Sequence, residues 1–454
     1  MKNISKPIFK IMIISLMQLL SACDSFLDPR PDHSVLVPET LEDIQALLDN
    51  TVVFNTQAGL TSIASDEFWT TDEGWAALSN PAEQATYIWA DDPYQGGVTN
   101  VWAGPYEQVF YANVALKGLE TYSGEKDKGF YELLGTAHFH RAYAYLQLLQ
   151  VYAPLYKEGE DNSSQMGIVL RDEPDVQVDP VRSNLEASYQ ALFMDINLAI
   201  DNLPTNTTPK TRPTKSVAWG LMARASLMVG DYQTALEASE KVLEAHPESL
   251  DFNELDPAAS RPFDKFNAEL IYYSSLQNYS YMNGNETYVD TDLMDVYEEN
   301  DLRKSLYFTE MEGGLYQYTG KLTGNSRFFG GIAIGEMLII ASEAAFRTGD
   351  LNKAKGYLNR LLEKRYTTGT WEGLDHLENE DVLDRILVER QKELIGRGLR
   401  WADLRRLNQE ASTQMTLERN LNNKVYTLDP NSPKYIFPIP PEEIRESGIE
   451  QNPR

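Results

Sequence analysis

The chain has 454 residues, 42% of them hydrophobic, and a formal net charge of −28. Such an acidic excess excludes nucleic acid as a partner, because phosphates demand Lys and Arg, and excludes docking on anionic lipid through a basic face. Cys23 is the single cysteine, so no intramolecular disulfide and no metal centre built on several thiolates can form.

Residues 1–22 read as a targeting segment. Lys2, Lys6 and Lys10 give a positive start, and an apolar run from Ile11 to Leu20 follows. That run is shorter than the roughly twenty residues a membrane span needs. It ends Leu20-Ser21-Ala22-Cys23, which resembles the bacterial lipobox, with Cys23 as the lipidated residue. Removing residues 1–22 takes away three lysines and no carboxylate, so the remainder is more acidic still. Pro29 and Pro31 make residues 23–40 an extended tether. Acidic residues directly after Cys23 resemble surface-export signals of Bacteroidetes lipoproteins. Thr40 caps a short helix through Leu48, with Glu42 and Asp43 in its first turn.

Residues 51–100 are rich in turns and rings. Four of the seven tryptophans lie from Trp69 to Trp102. A loop-rich segment cannot bury them all by helical packing, so some are expected at the surface. Trp102, Tyr106, Val109 and Asn113 then follow a helical period, which makes Trp102 a core residue. A second helix runs over 135–149 and ends near Pro154. His138 and His140 on it point to different faces and make a poor metal pair. Residues 159–180 form a polar loop with a short extended piece at 167–171. An amphipathic helix covers 184–203, and Pro204 stops it. Pro213 opens the next, through Val229.

Ala225, Gly230-Asp231 and Ala235 recur as Ala344, Gly349-Asp350 and Ala354. Each Gly-Asp joins two amphipathic helices, and the alanines allow close approach. This is tetratricopeptide logic, interrupted by an insertion over 250–329. The insertion is rich in Tyr, Asn and Gly, and residues 279–285 read as an exposed loop. Asp290, Asp292 and Asp295 lack the glycine and terminal Glu of a calcium loop, so capping and solvation are expected there. Over 381–408 a helix with Leu383, Ile386, Leu387, Leu394 and Ile395 to one side ends at Gly396 and Gly398. A short helix with Trp401, Leu404 and Leu407 inward follows. Its arginines are expected to bind free carbonyls and carboxylates such as Asp403. A polar tail and a proline strap over 435–444 close the chain, with Pro441-Glu442-Glu443 starting a helical turn.

Several of these stretches resemble the SusD/RagB family of surface nutrient-binding lipoproteins. They are Cys-Asp-x-Phe-Leu-Asp at 23–28, Gly-x-Ala-x-x-x-Arg-Ala-x-x-Tyr at 135–145, Glu389-Arg390-x-x-Glu393-Leu394, and Gly398-x-Arg400-Trp401-x-Asp403-Leu404-Arg405-Arg406. The Pro-Ile-Pro run and the terminal Gln451-Asn452-Pro453 complete the pattern. Gly335 departs from it, since many members carry Arg shortly before the residue matching Glu336. The resemblance implies a mostly α fold, a tetratricopeptide-like helical superhelix with a loop-rich, irregular ligand-binding face. It implies a signal peptide over 1–22 and one domain over 23–454, with 51–100 and 250–329 forming the ligand face and 330–454 the C-terminal hairpins and strap. It further implies a lipid-anchored protein at the cell surface of the outer membrane. Such a protein captures oligosaccharides, or in some members peptides, for a SusC-like TonB-dependent transporter, without cofactor, metal or nucleic acid.

The candidate ligand-binding residues are Trp69, Trp75, Trp89, Tyr279, Tyr281 and Phe328, because pyranose C–H faces pack on aromatic rings. No family motif fixes these positions. Two other classes remain open. A surface glycoside hydrolase needs two carboxylates about 5–9 Å apart across a sugar. Glu389 and Glu393 are a possible pair, but salt bridging on a helix face is the commoner use of that spacing, and distant carboxylates could also meet in the fold. A scaffold that binds only protein through its hairpins is the other.

Overall fold

Helices begin where the sequence places caps. The computed structural model describes residues 37–454 except Val98 and Val176. The expected signal segment, Cys23 and the expected tether as far as residue 36 lie outside the described residues. The first helix, α1 (Leu41–Leu48), starts at Thr40, whose hydroxyl accepts from the Asp43 N–H at 3.1 Å. Helices α2 (Ala103–Thr121), α3 (Lys128–Tyr152) and α4 (Leu185–Asn202) follow. Asp127 caps α3, so that helix begins seven residues before the predicted start, and Asn184 caps α4. Trp102 is buried at the head of α2, as its helical phase predicts. Arg141 of α3 binds Asp195 of α4 at 2.7 Å through two nitrogens and Asn113 of α2 at 2.8 Å. One guanidinium therefore ties three helices. His138 also meets Asp195, at 2.8 Å, whereas His140 stacks on Phe54 at 4.0 Å. The two histidines do face different neighbours.

The repeat forms two stacked hairpins. Helix α5 (Lys215–Val229) is capped by Thr214, with Pro213 just outside it, and leads through Gly230 to α6 (Tyr232–Ala245). Helix α7 (Ile334–Arg347) leads through Gly349 to α8 (Leu351–Leu362). Gly230 and Gly349 have φ of +84° and +90°, open to glycine without steric cost. The N–H groups of Asp231 and Asp350 then satisfy the carbonyls of Ser226 and Ala345, at 3.0 and 2.8 Å. The same aspartates cap α6 and α8. Helix α6 packs on α7 across the long insertion, and α2 to α8 form a continuous series in which each helix packs on the next. This is the tetratricopeptide-like superhelix the motifs imply.

Helices α9 (Val382–Glu393) and α10 (Arg400–Leu407) flank the bend at Gly396 and Gly398, both with positive φ. The inward face of α9 differs from expectation. Leu383 and Leu387 are only half-buried, while Glu389, Arg390, Lys392 and Glu393 are buried with Val382 and Ile386. Complementary charges from distant segments make that burial possible. The expected polar tail contains a hairpin, β-paired between Leu417–Leu421 and Lys424–Leu428, with Asn422 and Asn423 at positive φ. The strap follows as predicted, with helix Pro441–Ser447 after it. Gln451 bonds both backbone groups of Ile439, and Asn452 donates to the carbonyls of Tyr152 and Phe437, each at 2.8 Å. Residues 38–454 form one compact unit. No helix among the described residues is long and apolar enough to cross a membrane.

Candidate ligand face

Two loop-rich stretches, far apart in sequence, meet in a short antiparallel pair. Strand β1 (Phe68–Thr70) pairs with β2 (Thr287–Val289), so that Trp69 stands opposite Tyr288. Alternation along β1 buries Phe68 and Thr70 and turns Trp69 outward, half-buried. The rings of Trp69 and Tyr288 lie 5.3 Å apart. A short helix, Asp72–Ala77, follows β1 and carries Trp75, also half-buried. Thr71 caps it by accepting from the Gly74 N–H at 3.0 Å. Trp75 Nε1 donates to the Gln84 carbonyl at 3.0 Å, and the Gln84 amide returns a bond to the Trp75 carbonyl at 3.1 Å. Gly74 lies so close to Glu286 that a Cβ would stand 2.5 Å from the Glu286 Cβ. The exposed Glu286 carboxylate accepts from the Tyr288 and Thr71 hydroxyls at 3.4 and 3.3 Å. Rigid rings, a solvent-facing carboxylate and hydroxyls thus share one surface.

The other four candidate rings are core. Phe328 packs beneath β1, 5.7 Å from Phe68 and 5.3 Å from Tyr318. Tyr281 donates its hydroxyl to the Phe68 carbonyl at 2.8 Å, and its N–H donates to Glu83 at 2.7 Å. Tyr279 is 4% exposed, so the 279–285 stretch turns Tyr279, Tyr281 and Met282 inward while Ser280, Asn283 and Asn285 stay at the surface, as a loop with buried rings. Trp89 is 3% exposed, donates to the Ala64 carbonyl at 2.9 Å and lies under the Arg419 guanidinium at 4.7 Å. Arg419 binds the carbonyls of Ile63, Ser65 and Tyr87. A loop-rich segment can therefore bury its rings, provided an arginine from the unforeseen C-terminal hairpin satisfies its carbonyls. Tyr288 and Glu286 were missed because a Tyr among many Tyr carries no local signal. Only the register places Tyr288 against Trp69.

Behind this surface lies Glu67, which is 1% exposed. Its carboxyl accepts from the Gly396 N–H at 3.0 Å, and its own carbonyl accepts from the Asp290 N–H at 3.0 Å. Burial, with Asp66 beside it, pushes Glu67 up to about 8. The adjacent Asp66 binds Arg400 at 2.7 Å through two bonds. Asp290 itself caps the helix Thr291–Asp295, as expected. No group of three or more potential metal ligands occurs among the described residues.

The charges of α9 and α10 form buried networks. Arg303 binds Asp301 and Glu389 at 2.7 and 2.5 Å and Glu393 at 3.3 Å. Arg365 binds Glu393 at 2.8 Å and Glu269 at 3.1 Å, and Lys392 binds Asp301 at 2.8 Å. Burial alone would raise Glu389, but Arg303, Lys392 and Arg385 outweigh it and hold it below the usual range. Glu389 and Glu393 are thus joined through Arg303 and do not face each other across an open cleft. Gly335, the departure from the family pattern, donates its N–H to Glu269 at 2.5 Å, and a Cβ there would stand 2.4 Å from Glu393. Arg390 and Arg406 share Asp403, and Arg406 continues to Glu343. Arg224 and Arg397 converge on Glu336.

A tetratricopeptide-like α superhelix with two loop-rich segments joined to each other by short strand pairs defines the class. The model of the SusD family matches residues 201–454, and a related model, described as starch-binding associating with outer membrane, matches residues 25–227. The chain belongs to the SusD family. A SusD-like protein P2 of Formosa agariphila is 22% identical, over 98% of this chain and 99% of its own. Among solved structures, a SusD superfamily protein of Bacteroides thetaiotaomicron is similar at 20% identity, with a TM-score of 0.73 over 91% of this chain and all of its own. Surface glycan-binding protein A of Bacteroides fluxus is similar at 19% identity and a TM-score of 0.69, over 92% of this chain and 100% of its own.

Proposed function

We propose that this protein is a cell-surface glycan-binding lipoprotein, anchored in the outer membrane through a lipid on Cys23, that hands oligosaccharides to a SusC-like TonB-dependent transporter. The observation that carries the reading is the half-exposed Trp69–Tyr288 pair, with Trp75 and the Glu286 carboxylate beside it. Rings supply platforms for sugar C–H faces, and the carboxylate and hydroxyls supply partners for sugar hydroxyls. Family membership and the glycan-binding neighbour of Bacteroides fluxus support the ligand class. Capture in this reading is non-covalent, with rings and the Glu286 carboxylate as contacts.

Screening the protein on a glycan array and titrating the best oligosaccharide by calorimetry tests this. Trp69→Ala and Trp75→Ala are each expected to weaken binding about tenfold, roughly 1.4 kcal/mol, with the fold retained by circular dichroism, although Trp75→Ala also loses the Nε1 bond to Gln84. Unaltered affinity in both variants would remove the face from the proposal. Release of reducing ends by the purified protein would favour the hydrolase reading instead.

A further inference from the structure

A concave site lies against α2, and no residue lining it belongs to the Trp69–Tyr288 surface. The cleft has a volume of about 370 Å³, within the size of sites that hold small ligands. Trp102, Tyr106 and Phe110 follow one another at intervals of four along α2 and so line one side of it. The Tyr106 ring is fixed from both ends. Its hydroxyl accepts from the Val169 N–H at 3.0 Å and donates to the Val169 carbonyl at 3.1 Å, and its ring lies 4.7 Å from Trp102.

Carboxylates from three separate segments surround this aromatic floor. Glu107 comes from α2, Glu173 and Asp175 from the loop before residue 180, and Glu443 from the helix Pro441–Ser447. Glu173 is met by Lys117 at 3.3 Å. Glu107, Asp175 and Glu443 make no ion pair among the described residues. The one cation in the lining, Arg171, donates through Nη1 to the Val178 carbonyl at 2.7 Å. A ring face attracts cations, an aliphatic stem packs on rings, and a carboxylate rim completes the match. An anionic ligand would be repelled here.

We propose that this cleft binds the guanidinium or ammonium side chain of a basic peptide segment, independently of the oligosaccharide surface. The stem lies along Tyr106 and Phe110, and the charge meets Glu107 and Glu443. Titrating the full-length protein in detergent with N-acetyl-Gly-Arg-Gly amide is expected to give saturable binding that weakens with salt. The Gly-Gln-Gly analogue is expected to give none. Glu107→Gln combined with Glu443→Gln should lower affinity at least about tenfold, and Phe110→Ala should lower it without any change of charge. Glu237→Gln combined with Glu244→Gln, exposed carboxylates on α6 outside the cleft, should leave it within about twofold. The proposal is overturned if the arginine peptide gives no binding, if the glutamine analogue binds equally well, or if both carboxylate pairs lose affinity alike. Displacement of the peptide by a neutral oligosaccharide that contacts the cleft would also overturn it.

Discussion

Arg303 has no exposed surface and contacts three carboxylates, Asp301, Glu389 and Glu393. Such a group is costly to bury alone and acceptable only when matched. Arg303→Met should therefore destabilise by about 3–5 kcal/mol in urea unfolding, because three buried acids lose a shared cation. Glu67 is the opposite case, a buried acid whose nearest cation is already committed to Asp66. Its folded-state value near 8 exceeds the ordinary 4.5, so the folded chain keeps a proton that the unfolded chain has released. Stability contributed there is complete below 4.5 and falls as pH rises toward 8. Glu67→Gln should flatten that part of the melting-temperature profile, and an unchanged slope would mean that Glu67 is ionised when folded. Trp89→Ala should cost about 3–5 kcal/mol through lost core volume, in contrast to Trp69→Ala and Trp75→Ala at the surface.

At the scale of elements, the two Gly-Asp junctions are equivalent devices. Nothing lies within 4 Å of where a Cβ would sit at Gly230 or Gly349, so substitution there tests backbone conformation alone. Alanine at either position should cost about 1 kcal/mol and asparagine less, by thermal denaturation. The far end of α3 is finished differently. Arg405 of α10 donates to the carbonyls of Gln150 and Ala153, groups that the last turn leaves free. Burial lowers Arg405 to about 10, and it remains charged at neutral pH. The arginine-rich bend is thus a set of helix ties and caps, as the free carbonyls and Asp403 suggested from the sequence.

For the whole molecule, closure depends on the last residues. Asn452 links the end of α3 to the strap at Phe437, so deletion of residues 449–454 should lower the melting temperature and loosen the C-terminal end of α3 in hydrogen exchange. The anchor is tested separately: Cys23→Ala should move the protein out of the membrane fraction, with oligosaccharide affinity retained.

The helical frame was legible because its signals are local. Thr40, Asn184, Asp231 and Asp350 each cap a helix through a bond three residues away, and Gly230 and Gly349 set the junctions by their own φ. The family resemblance was legible for the same reason, since its motifs are short and contiguous. The burial of Trp89, Tyr281 and Phe328 was not legible, because it depends on Arg419, Glu83 and Phe68 from other parts of the chain. The inward charges of α9 escaped sequence reading likewise, since Arg303 and Arg365 neutralise them from outside the helix. Sequence by itself determined where helices start, stop and turn, through interactions within a few residues. Tertiary structure alone decided which rings meet solvent and which charges are buried, because burial is a property of the neighbours that folding brings together.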